Sequence, residues 1–166
     1  MDATRWRKIL MVKLINKLSK DFPDIRFIRG TTFMWSPSKN AVYYQEQGIS
    51  RSTGIWTLLH ELGHALNKHK KYTYDIELIE MEAEAWQTAQ NLSSKYNQQI
   101  NYNHIQNCLD TYRDWVHLRS TCPMCDSVCA QNTKTEYSCH NCGHRWMVSS
   151  VKFCRPYRLS LNSTIE

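Results

Sequence analysis

Apolar residues recur every three to four positions over four stretches of the chain, a spacing typical of amphipathic helices. The predicted helices span residues 4–20, 52–67, 75–96 and 102–118. In the first, the apolar face consists of Trp6, Ile9, Leu10, Leu14 and Leu18, with lysines and arginines between them. Ser52 or Thr53 can cap the second helix, and Asp75 begins the third.

Short β-prone segments lie between the first two helices, around Ile25 to Phe27, Phe33 to Trp35 and Ala41 to Tyr44. Residues 36–40 (Ser-Pro-Ser-Lys-Asn) have the composition of a hairpin loop between the last two. From Arg119 onward the chain is rich in cysteine and poor in aliphatic residues. The pattern predicts an α+β fold with helices and a small sheet over residues 1–118, a small cysteine module over 119–150, and a basic tail over 151–166.

Composition is ordinary for a globular protein, with 42% hydrophobic and 22% charged residues. The net charge of +6 is unevenly spread: residues 1–30 carry +5, residues 31–118 carry −2 and residues 119–166 carry +3. Basic ends suit contact with nucleic acid or acidic partners, although such runs are more often solvated faces.

No apolar run is long enough to cross a bilayer, and no apolar segment with a small-residue cleavage site follows the basic N-terminus. We therefore expect a cytoplasmic protein without membrane contact. Seven cysteines, an odd number that includes two Cys-x-x-Cys pairs, favour metal binding over a disulfide framework.

The segment His60-Glu61-Leu62-Gly63-His64 suggests catalytic chemistry. Two histidines four residues apart on a helix project from one face, a turn apart, which suits ligation of one zinc ion. Glu61 is placed to take a proton from a zinc-bound water. Leu62 lies on the opposite face, so the helix offers one side to a core and one to a cleft. Gly63 would let a neighbouring backbone approach closely.

A catalytic zinc needs a third protein ligand. His69 does not fit the extended three-histidine motif, which requires glycine and histidine where the chain has Asn67 and Lys70. On the third predicted helix, Glu82 alone among the glutamates falls within the apolar arc, where an unpartnered carboxylate is unfavourable and a metal is a natural partner. Glu82 is therefore the predicted third ligand and Glu84 the reserve; pairing of Glu82 with an arginine or a backbone group is the alternative.

His60 to His64 followed by Glu82-Ala83-Glu84-Ala85 resembles the gluzincin layout of compact metallopeptidases, particularly the ImmA/IrrE-like group. The resemblance covers roughly residues 50–95 and implies a zincin-like fold, with the first glutamate of the Glu-x-Glu-Ala stretch binding zinc. Minimal SprT-like proteases are similar in layout and also carry a zinc ribbon, but their third ligand is a later histidine. Related gluzincins often place Asp or Asn four residues after the ligand, to support a zinc histidine; this chain has Trp86 there.

The resemblance implies a zinc metallopeptidase that acts on protein or peptide substrates, and the residues themselves indicate Glu61 as the general base. The basic ribbon adds the hypothesis that the substrates are proteins bound to nucleic acid. His69, Tyr72 and Tyr74 are candidates for stabilising the oxyanion, on proximity in the sequence alone. The alternative is a binding or regulatory protein whose protease site is vestigial.

Two Cys-x-x-Cys pairs lie thirteen residues apart. The four predicted ligands of a structural zinc are Cys122, Cys125, Cys139 and Cys142. Such a site orders a module that lacks its own core, and we therefore expect a zinc ribbon and two zinc ions per chain, one catalytic and one structural. Cys129 and His140 are alternative ligands.

The ribbon and tail interleave basic and aromatic residues, a combination that can contact phosphates and stack on bases. The residues concerned are Arg145, Trp146, Lys152, Phe153, Arg155, Tyr157 and Arg158. Nucleic acid is therefore a candidate partner. A purely stabilising role, or a role in holding a protein substrate, fits the same residues.

Overall fold

The computed structural model describes residues 3–46, 52–149 and 157–161, with side chains from residue 12 onward. The fold is α+β, as predicted. The helices are α1 (Ala3–Asp21), α2 (Ser52–Leu66), α3 (Asp75–Ser93) and α4 (Tyr102–Ser120), and a short 3-10 turn, Ser94–Tyr96, extends α3. The strands are β1 (Arg26–Arg29), β2 (Met34–Ser36), β3 (Ala41–Tyr44), β4 (Glu136–Ser138), β5 (Arg145–Val148) and β6 (Arg158–Ser160).

The chain forms two compact units. The first consists of Met1–Lys70 and Met81–Ile105, and the second of Lys71–Glu80 and Gln106–Glu166. The α3 and α4 helices thus contribute residues to both units. The proposed boundary after residue 118 and the separate tail over residues 151–166 remain predictions.

The sheet of the first unit has the order β1-β3-β2. Its central strand, β3, pairs in parallel with β1 and antiparallel with β2, which leaves β2 at an edge. A 3-10 turn over Pro37–Lys39 connects β2 to β3, and Asn40 follows it with a left-handed φ of 45°, which asparagine tolerates better than most residues. Ala41 and Val42 of β3 are fully buried, so the sheet contributes to the core of this unit.

Helices α2 and α3 approach each other at backbone distance. A Cβ atom added at Gly63 would lie 2.3 Å from the carbonyl oxygen of Ala85, a separation that real Cβ atoms do not adopt. The close approach predicted for Gly63 is therefore present, and alanine on the facing helix makes it feasible. This contact brings the polar side chains of the neighbouring turns within reach of one another.

The second unit contains the cysteine module. Its sheet has the order β4-β5-β6 and is antiparallel throughout. Tyr137 and Trp146 face each other across β4 and β5, are almost completely buried, and stack with ring centroids 5.5 Å apart. Strand β6 lies within residues 151–166, the predicted basic tail.

A buried ion pair lies in the same unit. The Arg119 guanidinium donates to Asp75 over 2.5 Å, and the Tyr137 hydroxyl donates to the same carboxylate over 2.6 Å. Arg119 is 1% exposed and also stacks over the Trp115 ring at 4.2 Å. The first turn of α3 is thereby joined to α4 and to β4.

None of the described helices combines the length and apolar character needed to span a bilayer. The predicted apolar face of α1 includes Trp6, Ile9 and Leu10, whose side chains lie outside the described part of the chain. Lys152, Phe153 and Arg155, from the predicted nucleic-acid surface, also lie outside it.

Candidate metal centres

His60, His64 and Glu82 converge in the first unit. The two imidazole Nε2 atoms lie 3.1 Å apart, and the Glu82 Oε2 atom lies 3.1 Å from His60 Nε2 and 3.5 Å from His64 Nε2. All three residues are buried, with exposed fractions of 6%, 9% and 5%. They form a group able to hold a metal ion.

The spacing of these atoms can be compared with that of a real site. Ligand atoms about 2.0–2.2 Å from a tetrahedral zinc are separated by about 3.3–3.6 Å, because the angle between ligands is near 109°. The three observed separations, 3.1, 3.1 and 3.5 Å, fall close to that range. Three protein ligands also leave a fourth tetrahedral position open. The donor set therefore fits the ion that the sequence predicts.

The charge of Glu82 is set by the two histidines. Burial alone would raise the pKa of Glu82, but the hydrogen bonds with His60 and His64 outweigh burial and hold the pKa far below its usual range. The carboxyl group is therefore ionised, as a metal ligand must be. Its placement confirms that Glu82 lies on the buried side of α3, and Glu84 is exposed.

Trp86 lies four residues after Glu82 on α3. Its ring stacks on the His60 imidazole, with centroids 4.3 Å apart and an interplanar angle of 26°. His60 Nδ1 is buried without a hydrogen-bond partner among the described residues. The tryptophan therefore fixes the His60 ring through packing. His104 of α4 in turn meets the Trp86 ring edge-on at 5.6 Å.

The second histidine has a polar neighbour. His64 Nδ1 lies 2.8 Å from His69 Nδ1, and His69 Nε2 lies 3.0 Å from a carboxylate oxygen of Glu84. His69 is 8% exposed, and the Trp35 indole donates to its carbonyl oxygen over 2.8 Å. Both ring nitrogens of His69 are thus engaged with neighbouring side chains.

Glu61 lies beside the edge strand of the sheet. The backbone amide of Trp35 in β2 donates to one Glu61 carboxylate oxygen over 2.7 Å. Glu61 is half-buried, whereas the two histidines that flank it in the motif are buried. The Trp35 amide therefore fixes the orientation of the Glu61 carboxylate.

The second candidate centre is the cluster of four cysteines in the ribbon. Cys122 Sγ lies 3.7 Å from Cys142 Sγ, and Cys125 Sγ lies 3.5 Å from Cys139 Sγ. Thiolates about 2.3 Å from a tetrahedral zinc are about 3.8 Å apart, whereas disulfide sulfurs lie near 2.05 Å. All four thiols are free, and together they form a group able to hold a metal.

Local hydrogen bonds favour the thiolate form of one cysteine in this cluster, whereas burial and hydrogen bonds with neighbouring thiols raise the pKa of Cys142. Hydrogen bonding with Ser127 lowers the pKa of the Cys125 thiol to about 5, which favours the thiolate. Gly143 closes the second knuckle in the left-handed conformation, with φ of 74°, and its amide donates to the Cys139 carbonyl over 2.9 Å. Of the alternative ligands, Cys129 is buried but outside the group of four, and His140 is exposed.

The structure thus brings together the predicted ligands of both centres. Two residues have positions that the sequence did not indicate: His69 contacts His64, and Glu84 contacts His69. In the sequence, only the short distance between His69 and the motif pointed to such a contact, and it did not indicate where the His69 side chain lies. Tyr74, an oxyanion candidate, lines a cavity of about 480 Å³ in the second unit.

Comparison of the chain with models of protein families, with curated proteins and with solved structures gave no match.

Proposed function

We propose that this protein is a zinc-dependent peptide hydrolase of the gluzincin type, resembling the ImmA/IrrE-like group. The proposal rests mainly on one observation. Two histidines of α2 and a glutamate of α3 place three ligand atoms within 4.8 Å of one another. The half-buried Glu61 directly follows His60 in the chain. The four ribbon cysteines support a second, structural zinc. On this proposal the chain binds two zinc ions.

In the proposed mechanism, His60, His64 and Glu82 would hold the ion. Zinc, when bound, acts as a Lewis acid that polarises a scissile carbonyl and makes water nucleophilic near neutral pH. Glu61 accepts the proton of the attacking water at its carboxylate and passes it to the leaving amine. The Trp35 amide donates a hydrogen bond to one carboxylate oxygen of Glu61, and we assign the proton transfer to the other oxygen.

The test compares the zinc-loaded wild type with Glu61→Gln, which keeps the shape of the side chain and its acceptor for the Trp35 amide. Both proteins are incubated with a proteome-derived peptide library, and new N-termini are identified by mass spectrometry. Removal of a general base is expected to slow cleavage by about 10²- to 10⁴-fold. Equal cleavage by the two proteins at equal zinc content would refute the assigned mechanism.

The second candidate is a regulatory protein with a vestigial protease site, whose ribbon binds nucleic acid. It is favoured by the start of β6 and the residue before it, where Tyr157 and Leu159 are 73% and 67% exposed on either side of Arg158. An exposed aromatic residue beside a basic one can stack on a base and contact phosphate. Two results together would favour this candidate. The peptide library would show no product that depends on Glu61, and the protein would bind single-stranded nucleic acid with an affinity that falls steeply with salt and on Tyr157→Ala.

A further inference from the structure

We infer that His69 and Glu84 form a positioning relay that orients His64 for metal binding. The inference rests on the metal site of the proposed function and assigns no catalytic step to either residue. Its observations are the two short contacts that join His64 to His69 and His69 to Glu84. The relay extends the metal site to the exposed surface of α3.

The protonation of the relay follows from its two ends. If His64 offers the lone pair of Nε2 to a metal, its proton lies on Nδ1, which must then donate. The partner 2.8 Å away, His69 Nδ1, accepts, so the His69 proton lies on Nε2. That nitrogen is 3.0 Å from the Glu84 carboxylate, which can only accept when ionised. Every group therefore has a compatible role, and the carboxylate fixes the tautomer of both rings.

The backbone that places His69 is a helix C-terminal motif. The amide of His69 donates to the His64 carbonyl over 3.0 Å, and the amide of Lys68 donates to Ala65 over 3.1 Å. Lys68 has a left-handed φ of 57°. This is the pattern of a Schellman motif, in which the residue after the left-handed position packs back on the last turn of the helix. Here the two residues that meet are His64 and His69.

The relay provides for His64 the support that Trp86 cannot provide for His60. Ligating histidines usually donate their other ring nitrogen to an acceptor, which fixes the ring and increases its basicity. His60 Nδ1 is buried and has no partner among the described residues. His64 therefore carries the polar support of this centre, and the loss of His69 should weaken metal binding even though His69 is not a ligand.

The test measures metal affinity, so it does not depend on hydrolysis. Zinc binding to the full chain is followed by competition with a chelator, and the binding phase that His60→Ala removes is assigned to this site. The variant His69→Leu removes the acceptor and should weaken that phase by about 10- to 100-fold. His69→Asn places an amide oxygen near the Nδ1 position and should restore part of the affinity.

Glu84→Gln tests the outer end of the relay. Since Glu84 is exposed, the substitution should leave folding intact and weaken metal binding about two- to fivefold. Glu80→Gln, at an exposed position of the same helix, removes the same charge without this contact and should have a smaller effect. In the His69→Asn background, which cannot reach Glu84, the further substitution Glu84→Gln should have no effect beyond that of Glu80→Gln.

The outcomes separate this inference from the proposed function. A wild type without a His60-dependent binding phase would refute the metal site and the proposed function together. A wild type that binds, with equal affinity in His69→Leu, would overturn the relay alone. An undiminished effect of Glu84→Gln in the His69→Asn background would show that Glu84 does not act through His69.

Discussion

The contact between Gly63 and Ala85 should be essential for the metal site. Gly63→Ala would place a Cβ atom 2.3 Å from the Ala85 carbonyl oxygen, and an ordinary contact needs at least 3.4 Å. The helices must therefore separate by about 1 Å. Overpacking of this kind costs about 1–3 kcal/mol, whereas glycine to alanine inside a helix normally contributes about 1 kcal/mol of stability. We expect a net loss of stability of about 0–2 kcal/mol.

The larger effect should be on metal binding. Glu82 lies on α3 one turn before Ala85, so a displacement of that helix moves its carboxylate away from the imidazoles of α2. Thermal unfolding gives the stability change, and chelator competition gives the zinc affinity, which we expect to fall at least about tenfold. Gly30→Ala is the matched control, since the new Cβ atom would meet the Tyr43 side chain at 3.3 Å, which can shift.

The close contact would be refuted if Gly63→Ala stabilised the protein by about 1 kcal/mol, as in an unobstructed helix, and bound zinc like the wild type.

Three further substitutions test other parts of the structure. Arg119→Met should destabilise the protein by about 3–5 kcal/mol in thermal unfolding, because it leaves a buried carboxylate without its partner; Arg113→Met, which breaks an exposed ion pair, should change stability by less than about 1 kcal/mol. A small effect at Arg119 would contradict the buried pair. Lys68→Gly should raise stability by about 0.5–1 kcal/mol without changing zinc affinity, since glycine adopts the left-handed φ more readily; a lower melting temperature would argue against that turn. Cys122→Ser should abolish ribbon metal and remove amide protection over residues 136–148, whereas Cys108→Ser, outside the four-cysteine group, should change neither; protection that persists in Cys122→Ser would contradict a metal-stabilised ribbon.

The ligand residues of both candidate centres were predictable because short-range spacing and burial identify them. Histidines at i and i+4 share a helix face whatever the rest of the chain does. Glu82 was identified by its place within an apolar arc, and its burial in the structure follows from the same periodicity. The four cysteine ligands were predictable from the spacing of the two Cys-x-x-Cys pairs alone.

The relay and the buried ion pair were not predictable, because they depend on contacts that no periodicity encodes. His69 turns back on His64 through a left-handed lysine, a conformation that lysine rarely adopts, so Lys68 gave no turn signal. Asp75 and Arg119 are 44 residues apart and meet only through tertiary packing. The parallel pairing of β1 with β3 likewise depends on packing that two four-residue strands do not specify.

The most direct test of the proposed catalytic centre is the zinc content of the purified chain and of two variants, measured by inductively coupled plasma mass spectrometry. We predict two zinc ions per wild-type chain, one in His60→Ala and one in Glu82→Ala, with the ribbon ion retained in both. Two zinc ions in Glu82→Ala would contradict the claim that α2 and α3 together hold the metal, as would a wild type that carries the ribbon ion alone.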